Sequence, residues 1–127
     1  MVTHVLDSSA FLALVLEEPG AEVVEPLLGA SVMSAVNFSE VASKLIERGY
    51  DPDETETGLR LSDLAVEAAT EQDAMAAARL LPLGRSFGLS LGDRFCLALA
   101  GRLRCVALTA DQAWAGLDLG VEVELIR

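Results

Sequence analysis

Short apolar runs alternate along the chain with longer segments whose apolar positions recur at helical spacing. "VTHVLD" (Val2–Asp7) reads as a short strand ending in an acid. "SSAFLALVLEE" reads as a helix opened by Ser8 or Ser9 and stopped at Pro19-Gly20. "AEVVEPLL" is a second short helix whose far end is disturbed by Pro26, and "ASVMS" is a strand. From Asn37 to Arg48, Phe38, Val41, Ala42, Leu45 and Ile46 recur at i, i+3, i+4, i+7 and i+8. That spacing predicts one apolar helical face, closed by Gly49. "DPDETETGLRLSD" is a surface helix or loop, "LAVEAA" a strand, and "EQDAMAAARLL" an Ala-rich helix ended by Pro82. "SLGDRFCLALAGRL" is a buried helix, "CVALTAD" a strand ending in an acid, and "VEVELIR" a last strand. Strands separated by helices require crossover connections, hence a parallel sheet covered on both faces. The expected fold is an α/β three-layer α/β/α sandwich with a mostly parallel central sheet. Such folds bind ligands outside the carboxyl ends of the strands.

At 127 residues, with 52% hydrophobic positions, the chain suits a single domain, residues 1–127, built on one sizeable core. It shows no linker, repeat or low-complexity segment. No apolar run approaches the ~20 residues needed to span a bilayer. "MVTHVLD" lacks the basic region and long apolar stretch of a signal peptide, so a cytoplasmic location is expected. Cys96 and Cys105 form no CxxC pair and read as buried, reduced thiols. Met33 and Met75 read as core residues, and Trp114 as core or edge packing.

Charge changes the picture. Nine basic residues against 20 acidic ones give −11. That balance argues against broad, charge-driven binding to nucleic acid. It suits a basic partner, or a site whose carboxylates are neutralised by a metal.

Four acids stand out. Asp7 and Asp111 each follow a strand and, in a parallel sheet, lie at the same edge. Glu40 and Asp93 fall one turn into helices that begin near that edge. Each has a structural alternative. "SLGD" (Ser90–Asp93) and "NFSE" (Asn37–Glu40) both fit a capping-box helix start, an acid there is favoured by the helix dipole, and Glu40 is spaced to pair with Lys44. Asp7 and Asp111 are each candidate N-caps. Taken together, four carboxylates at one sheet edge, flanked by apolar stretches, repel one another and need compensation. A hard divalent cation such as Mg²⁺ or Mn²⁺ provides it. The chemistry this supports is metal-assisted hydrolysis of a phosphodiester.

Other constellations fail. His4 is the only histidine, so neither a usual zinc site nor a Ser-His-Asp triad is available. "GLSLGD" lacks the lysine of a phosphate-binding loop, and no GxGxxG occurs. A phosphatase with an acidic nucleophile after the first strand is disfavoured, because "LDSSAF" offers a single acid.

The sequence resembles PIN-domain proteins, in particular VapC-type toxins of bacterial toxin–antitoxin pairs. The matching pieces are "VLDSSAFLALVLEEPGAE", "MSAVNFSEVASKL", "GLSLGDRFCLALA" and "VALTADQAW…LDLGVEVELI", in the family's order over most of the chain. Tyr50 to Ala69 is poorly specified. The resemblance implies a Mg²⁺- or Mn²⁺-dependent endoribonuclease whose catalytic and metal-binding acids are Asp7, Glu40, Asp93 and Asp111. It gives Thr109 and Ser8 supporting positions beside the acids, with Asp118 a further candidate. It also implies an RNA substrate, a homodimer and a cognate antitoxin. The expected antitoxin lays an apolar helix across a groove between the early helices and reaches an Arg towards the acids. The expected dimer surface is an apolar face between Ala35 and Leu61. The competing readings are a non-cleaving RNA- or partner-binding module of the same fold, and a DNA-directed nuclease or subunit of a DNA-binding complex.

Overall fold

In a computed structural model covering residues 1–127, five short strands form one sheet. The strands are β1 (His4–Leu6), β2 (Ser31–Ser34), β3 (Ala65–Glu67), β4 (Val106–Thr109) and β5 (Val123–Leu125). They lie in the order β3-β2-β1-β4-β5, and every neighbouring pair is parallel. The chain runs outward from β1 through β2 to β3, then returns to the other side of β1 for β4 and β5. The carboxyl ends of β1 and β4 therefore flank the point where strand order reverses, which is where such sheets bind ligands.

Seven α-helices connect the strands: α1 (Ser8–Val15), α2 (Ala21–Val24), α3 (Ala35–Glu47), α4 (Pro52–Arg60), α5 (Glu71–Arg79), α6 (Leu81–Phe87) and α7 (Leu91–Leu103). Two 3₁₀ turns, Glu25–Ala30 and Gln112–Gly116, complete the elements. The two-residue period of the strands sorts the core into two layers. Leu6, Met33 and Leu108 face α1–α4, where they meet Phe11, Val41 and Leu45. Val5, Val32 and Ala107 face the other way, onto Cys96, Leu97 and Leu99 of α7 and the fully buried Trp114. Each fully buried side chain of this kind contributes roughly 2 kcal/mol of transfer free energy. No helix is long and apolar enough to cross a membrane.

The expected sandwich, with every predicted strand and helix, is present, and the differences are local. The helix predicted to start at Asn37 starts at Ala35, because Ser34 leaves β2 in an extended conformation and its side chain accepts from the Val36 N–H. Asn37 is therefore an interior, fully buried helix residue and not a cap. Pro26 turns the end of α2 into a 3₁₀ turn. Pro82 ends one helix and opens another: it sits at the start of α6, where a missing N–H costs nothing. Met75 is 49% exposed on α5, and Ile46 is 41% exposed on α3, so neither belongs to the core. Cys96 is buried, but Cys105 is only partly so. Lys44 makes no ion pair with Glu40.

One charged contact ties the second layer together. Arg102 of α7 donates through Nε and Nη2 to the two carboxylate oxygens of Asp73 on α5, at 2.7 and 3.0 Å. Asp73 is buried and also closes the capping box with Thr70 that starts α5.

Candidate active site

Asp7 leaves β1 at the N-cap position of α1, yet its side chain caps nothing. Its Oδ2 instead accepts from Ser9 Oγ at 2.6 Å and from Thr109 Oγ1 at 2.9 Å. The second contact follows from register: Leu6 pairs with Leu108, which sets the next residues side by side. Asp7 is 4% exposed. Burial pushes its carboxyl up from 3.8 to about 6 in spite of the Ser9 hydrogen bond, and the Asp93 charge pushes the same way. Thr109 has a second task, since its Oγ1 accepts the Asp111 backbone N–H at 3.1 Å.

Asp111 does act as a cap. Its Oδ1 accepts from the Ala113 N–H at 3.0 Å and opens the 3₁₀ turn that carries Trp114. Asp93 closes a full capping box at the start of α7. Ser90 N–H donates to Asp93 Oδ2 at 2.8 Å, and Asp93 N–H donates to Ser90 Oγ at 3.2 Å. Partial burial raises its carboxyl above the ordinary value, the Ser90 contacts oppose this, and Asp111 and Glu40 add repulsion.

Glu40 stands on the exposed side of α3. Its Oε1 accepts from Ser8 Oγ at 2.6 Å and from Asn37 Nδ2 at 2.9 Å. Its carboxylate rests against Gly92, in the space a Cβ on that residue would need. Glu40 (α3), Asp93 (α7), Asp7 (after β1) and Asp111 (after β4) thus share one edge of the sheet. Cys96 lies behind them; burial first, then the charges of Asp7, Asp93 and Glu40, push its thiol well above its ordinary value and keep it protonated. Asp118 is exposed and makes no hydrogen bond to the four acids.

The four acids share two properties. None takes part in the chain's ion pairs, so no Lys or Arg offsets them. In each, one oxygen is engaged by the protein while the other accepts no hydrogen bond of ordinary geometry. An all-oxygen, uncompensated donor set of this kind fits a hard divalent cation and no soft one. No three of the carboxylates converge on one point in this conformation, with Glu40 held towards Ser8 and Asn37, and Asp93 towards Ser90.

Three residues around the acids escaped sequence reasoning. Ser9 serves Asp7 and also accepts the Ala110 N–H at 3.0 Å. Gly92 makes room for Glu40. Asn37 was visible only as the first letter of "NFSE"; the spacing was right, but the contact it signals is a side-chain pair inside a helix and not a cap.

The model of the PIN domain family matches residues 4–118. The chain belongs to the PIN-domain family. None of the curated proteins matches significantly. Among solved structures, the chain is similar to a toxin–antitoxin complex from Klebsiella pneumoniae, with 20% identity, 98% of each chain covered and a TM-score of 0.74. It is similar to the DNA-bound VapBC of Salmonella typhimurium, with 16% identity, full coverage of both chains and a TM-score of 0.76. It is also similar to VapC20 of Mycobacterium tuberculosis, a sarcin-ricin loop cleaving toxin. There the identity is 19%, 94% of this chain and 99% of that one are covered, and the TM-score is 0.72.

Proposed function

We propose that this PIN-domain chain is a metal-dependent endoribonuclease, the VapC-type toxin of a toxin–antitoxin pair, hydrolysing RNA phosphodiester bonds. One observation carries the reading: four carboxylates without a cationic partner, at the carboxyl edge of β1 and β4, each keep one oxygen uncommitted. Asp7, Asp93, Glu40 and Asp111 are the residues that would hold Mg²⁺ or Mn²⁺. When bound, such an ion polarises a phosphoryl oxygen and lowers the pKa of a water.

The chain's own residues set the stage for that chemistry. Asp7, with its carboxyl at about 6, retains part of a proton at mildly acidic pH, and a cation bound there would displace that proton to solvent. Ser9 and Thr109 both donate to Oδ2 of Asp7 and leave Oδ1 without a hydrogen bond. Ser8 supports Glu40 in the same manner. Asp93 keeps its helix-capping role through Oδ2 while Oδ1 stays available. With net charge −11, approach of an RNA backbone depends on the bound cation and on few phosphate contacts.

The partner reading has its own support. A groove of about 410 Å³ between α1, α3 and α4 is lined by Phe11, Leu14, Val15, Leu45, Tyr50 and Leu59. It suits the apolar face of an antitoxin helix. Ile46 and Leu61, outside that groove, expose 41% and 80% of their surface and are the proposed contact of a homodimer.

The test is cleavage of a mixed structured RNA pool by purified protein, with Mn²⁺ or with chelator, beside Asp7→Asn and Asp93→Asn. Cleavage that needs Mn²⁺ and disappears in both variants is expected. Cleavage that persists in the variants refutes the site, and a wild-type protein that leaves the pool intact but retains RNA on a filter shifts the function to a binding module.

A further inference from the structure

We infer that Asn37 is a positioning residue for Glu40: with Ser8 it commits Oε1, so that Glu40 offers Oε2 alone to a hard divalent cation. This rests on the metal-nuclease reading above and assigns a task inside it.

Asn37 has no exposed surface, although it carries a fully polar side chain. Its Nδ2 has two protons and three acceptors within reach: Glu40 Oε1 at 2.9 Å, Gly92 O at 3.1 Å and Ser8 Oγ at 3.2 Å. Its Oδ1 is buried with no partner. The amide orientation is fixed by chemistry, because a flip would aim Oδ1 at two oxygens that can only accept, Glu40 Oε1 and Gly92 O. A buried acceptor left unpaired is unfavourable, and an apolar residue would fill the same volume without leaving one. The amide is therefore held in place for its N–H groups.

Those groups key three elements to one another. Asn37 lies on α3, one helical turn before Glu40. Through Gly92 O it is anchored to the first turn of α7, at the residue immediately before Asp93. Ser8, at the start of α1, approaches the same Oε1 at 2.6 Å. Its hydroxyl proton serves Glu40 before Asn37 O, which is farther away at 3.3 Å. A glutamate on a helix surface has several rotamers to choose among. Two donors on one oxygen and the Gly92 backbone against the carboxylate select one of them. Oε2 lies against Gly92 and accepts no hydrogen bond. Loss of a partner that orients a metal ligand in this way costs about 10–100-fold in metal affinity.

The test is a double-mutant cycle on Mn²⁺ affinity, read by titration calorimetry with wild type, Asn37→Ser, Glu40→Gln and the double variant, each checked by thermal melting in chelator. Asn37→Ser is expected to weaken Mn²⁺ binding about tenfold in the wild-type background and less than about twofold in the Glu40→Gln background. A staple that merely holds α3 to α7 would weaken binding equally in both backgrounds, and that result overturns the inference, as does unchanged affinity in Asn37→Ser. If Asn37→Ser does not fold, Ser8→Ala, which removes the other donor at a half-buried position, is read through the same cycle, with additivity again the overturning result. A folded wild-type protein that takes up no Mn²⁺ removes the metal reading itself, and so separates that failure from a failure of Asn37 alone.

Discussion

Replacing Gly92 by alanine adds one methyl group at the second residue of α7 and touches none of the acids chemically. The backbone there is helical, where alanine is favoured over glycine by up to about 1 kcal/mol. The methyl would occupy the space where the Glu40 carboxylate rests. That carboxylate is the far end of a flexible side chain, so it yields, withdrawing by about 1 Å to reach ordinary van der Waals separation. The 2.6 Å and 2.9 Å contacts to Ser8 and Asn37 are lost or stretched. On a partly solvated side chain these are worth about 1–2 kcal/mol together. Gain and loss nearly cancel, and the melting temperature in chelator should move by no more than about 5 °C. Catalysis is less forgiving, since a 1 Å displacement of a group at the chemistry costs about 100-fold. RNA cleavage at saturating Mn²⁺ should fall by that order while the melt hardly changes. Undiminished cleavage by a folded Gly92→Ala protein would refute the role given to the Glu40 carboxylate. A collapse of stability would show that Gly92 is pressed by something less mobile than a glutamate tip.

Three further outcomes follow from the geometry. The Asp7 carboxyl, raised from 3.8 to about 6 by burial, makes the metal-free fold most stable below pH 4 as far as this group is concerned; the contribution is lost as pH rises through 6 and amounts to about 3 kcal/mol. Metal-free Asp7→Asn should therefore melt above wild type at pH 7.5 with the gap closing towards pH 4, and coincident melts at pH 7.5 would contradict the burial cost. Burial alone would raise Asp73, but hydrogen bonds from Arg102 and the Thr70 backbone hold it below its ordinary value, so its contribution is present at neutral pH and lost as pH falls below about 4. Arg102→Ala, which strands that buried carboxylate, should cost about 3 kcal/mol in urea unfolding, and a loss under about 1 kcal/mol would mean that the pair is replaceable by water. Val15→Glu places a charge on the rim of the groove between α1 and α4; it should abolish co-purification with the antitoxin while RNA cleavage persists, and intact pairing would move the docking face elsewhere.

Much of the architecture was legible because it depends on local chemistry. The "SLGD" box starts α7 as its spacing demands, the apolar stripe of Val41 and Leu45 faces the core, and the two acids that follow strands lie at one edge because those strands are parallel neighbours. What could not be read depends on contacts between distant segments. "NFSE" has the spacing of a cap, and only the burial of Asn37 between α1, α3 and α7 shows that Ser34 takes that role while Asn37 serves Glu40. Met75 sits in an apolar run of an Ala-rich helix, yet that helix presents it to solvent. Ser9 looked like any small helix-start residue until the strand pairing put Thr109 beside it.

The pairing of β1 with β4 also sets a schedule. Asp7 is synthesised well before its support, because the hydroxyl that steadies it belongs to a residue 102 positions later. Until β4 has been made and has slotted in beside β1, the first acid has no Thr109, the last acid does not exist, and α7 has no sheet to lie on. Contacts of such long range form late in folding. The acidic edge is therefore assembled only once the β4 segment is available, in the same event that completes the β1–β4 pairing.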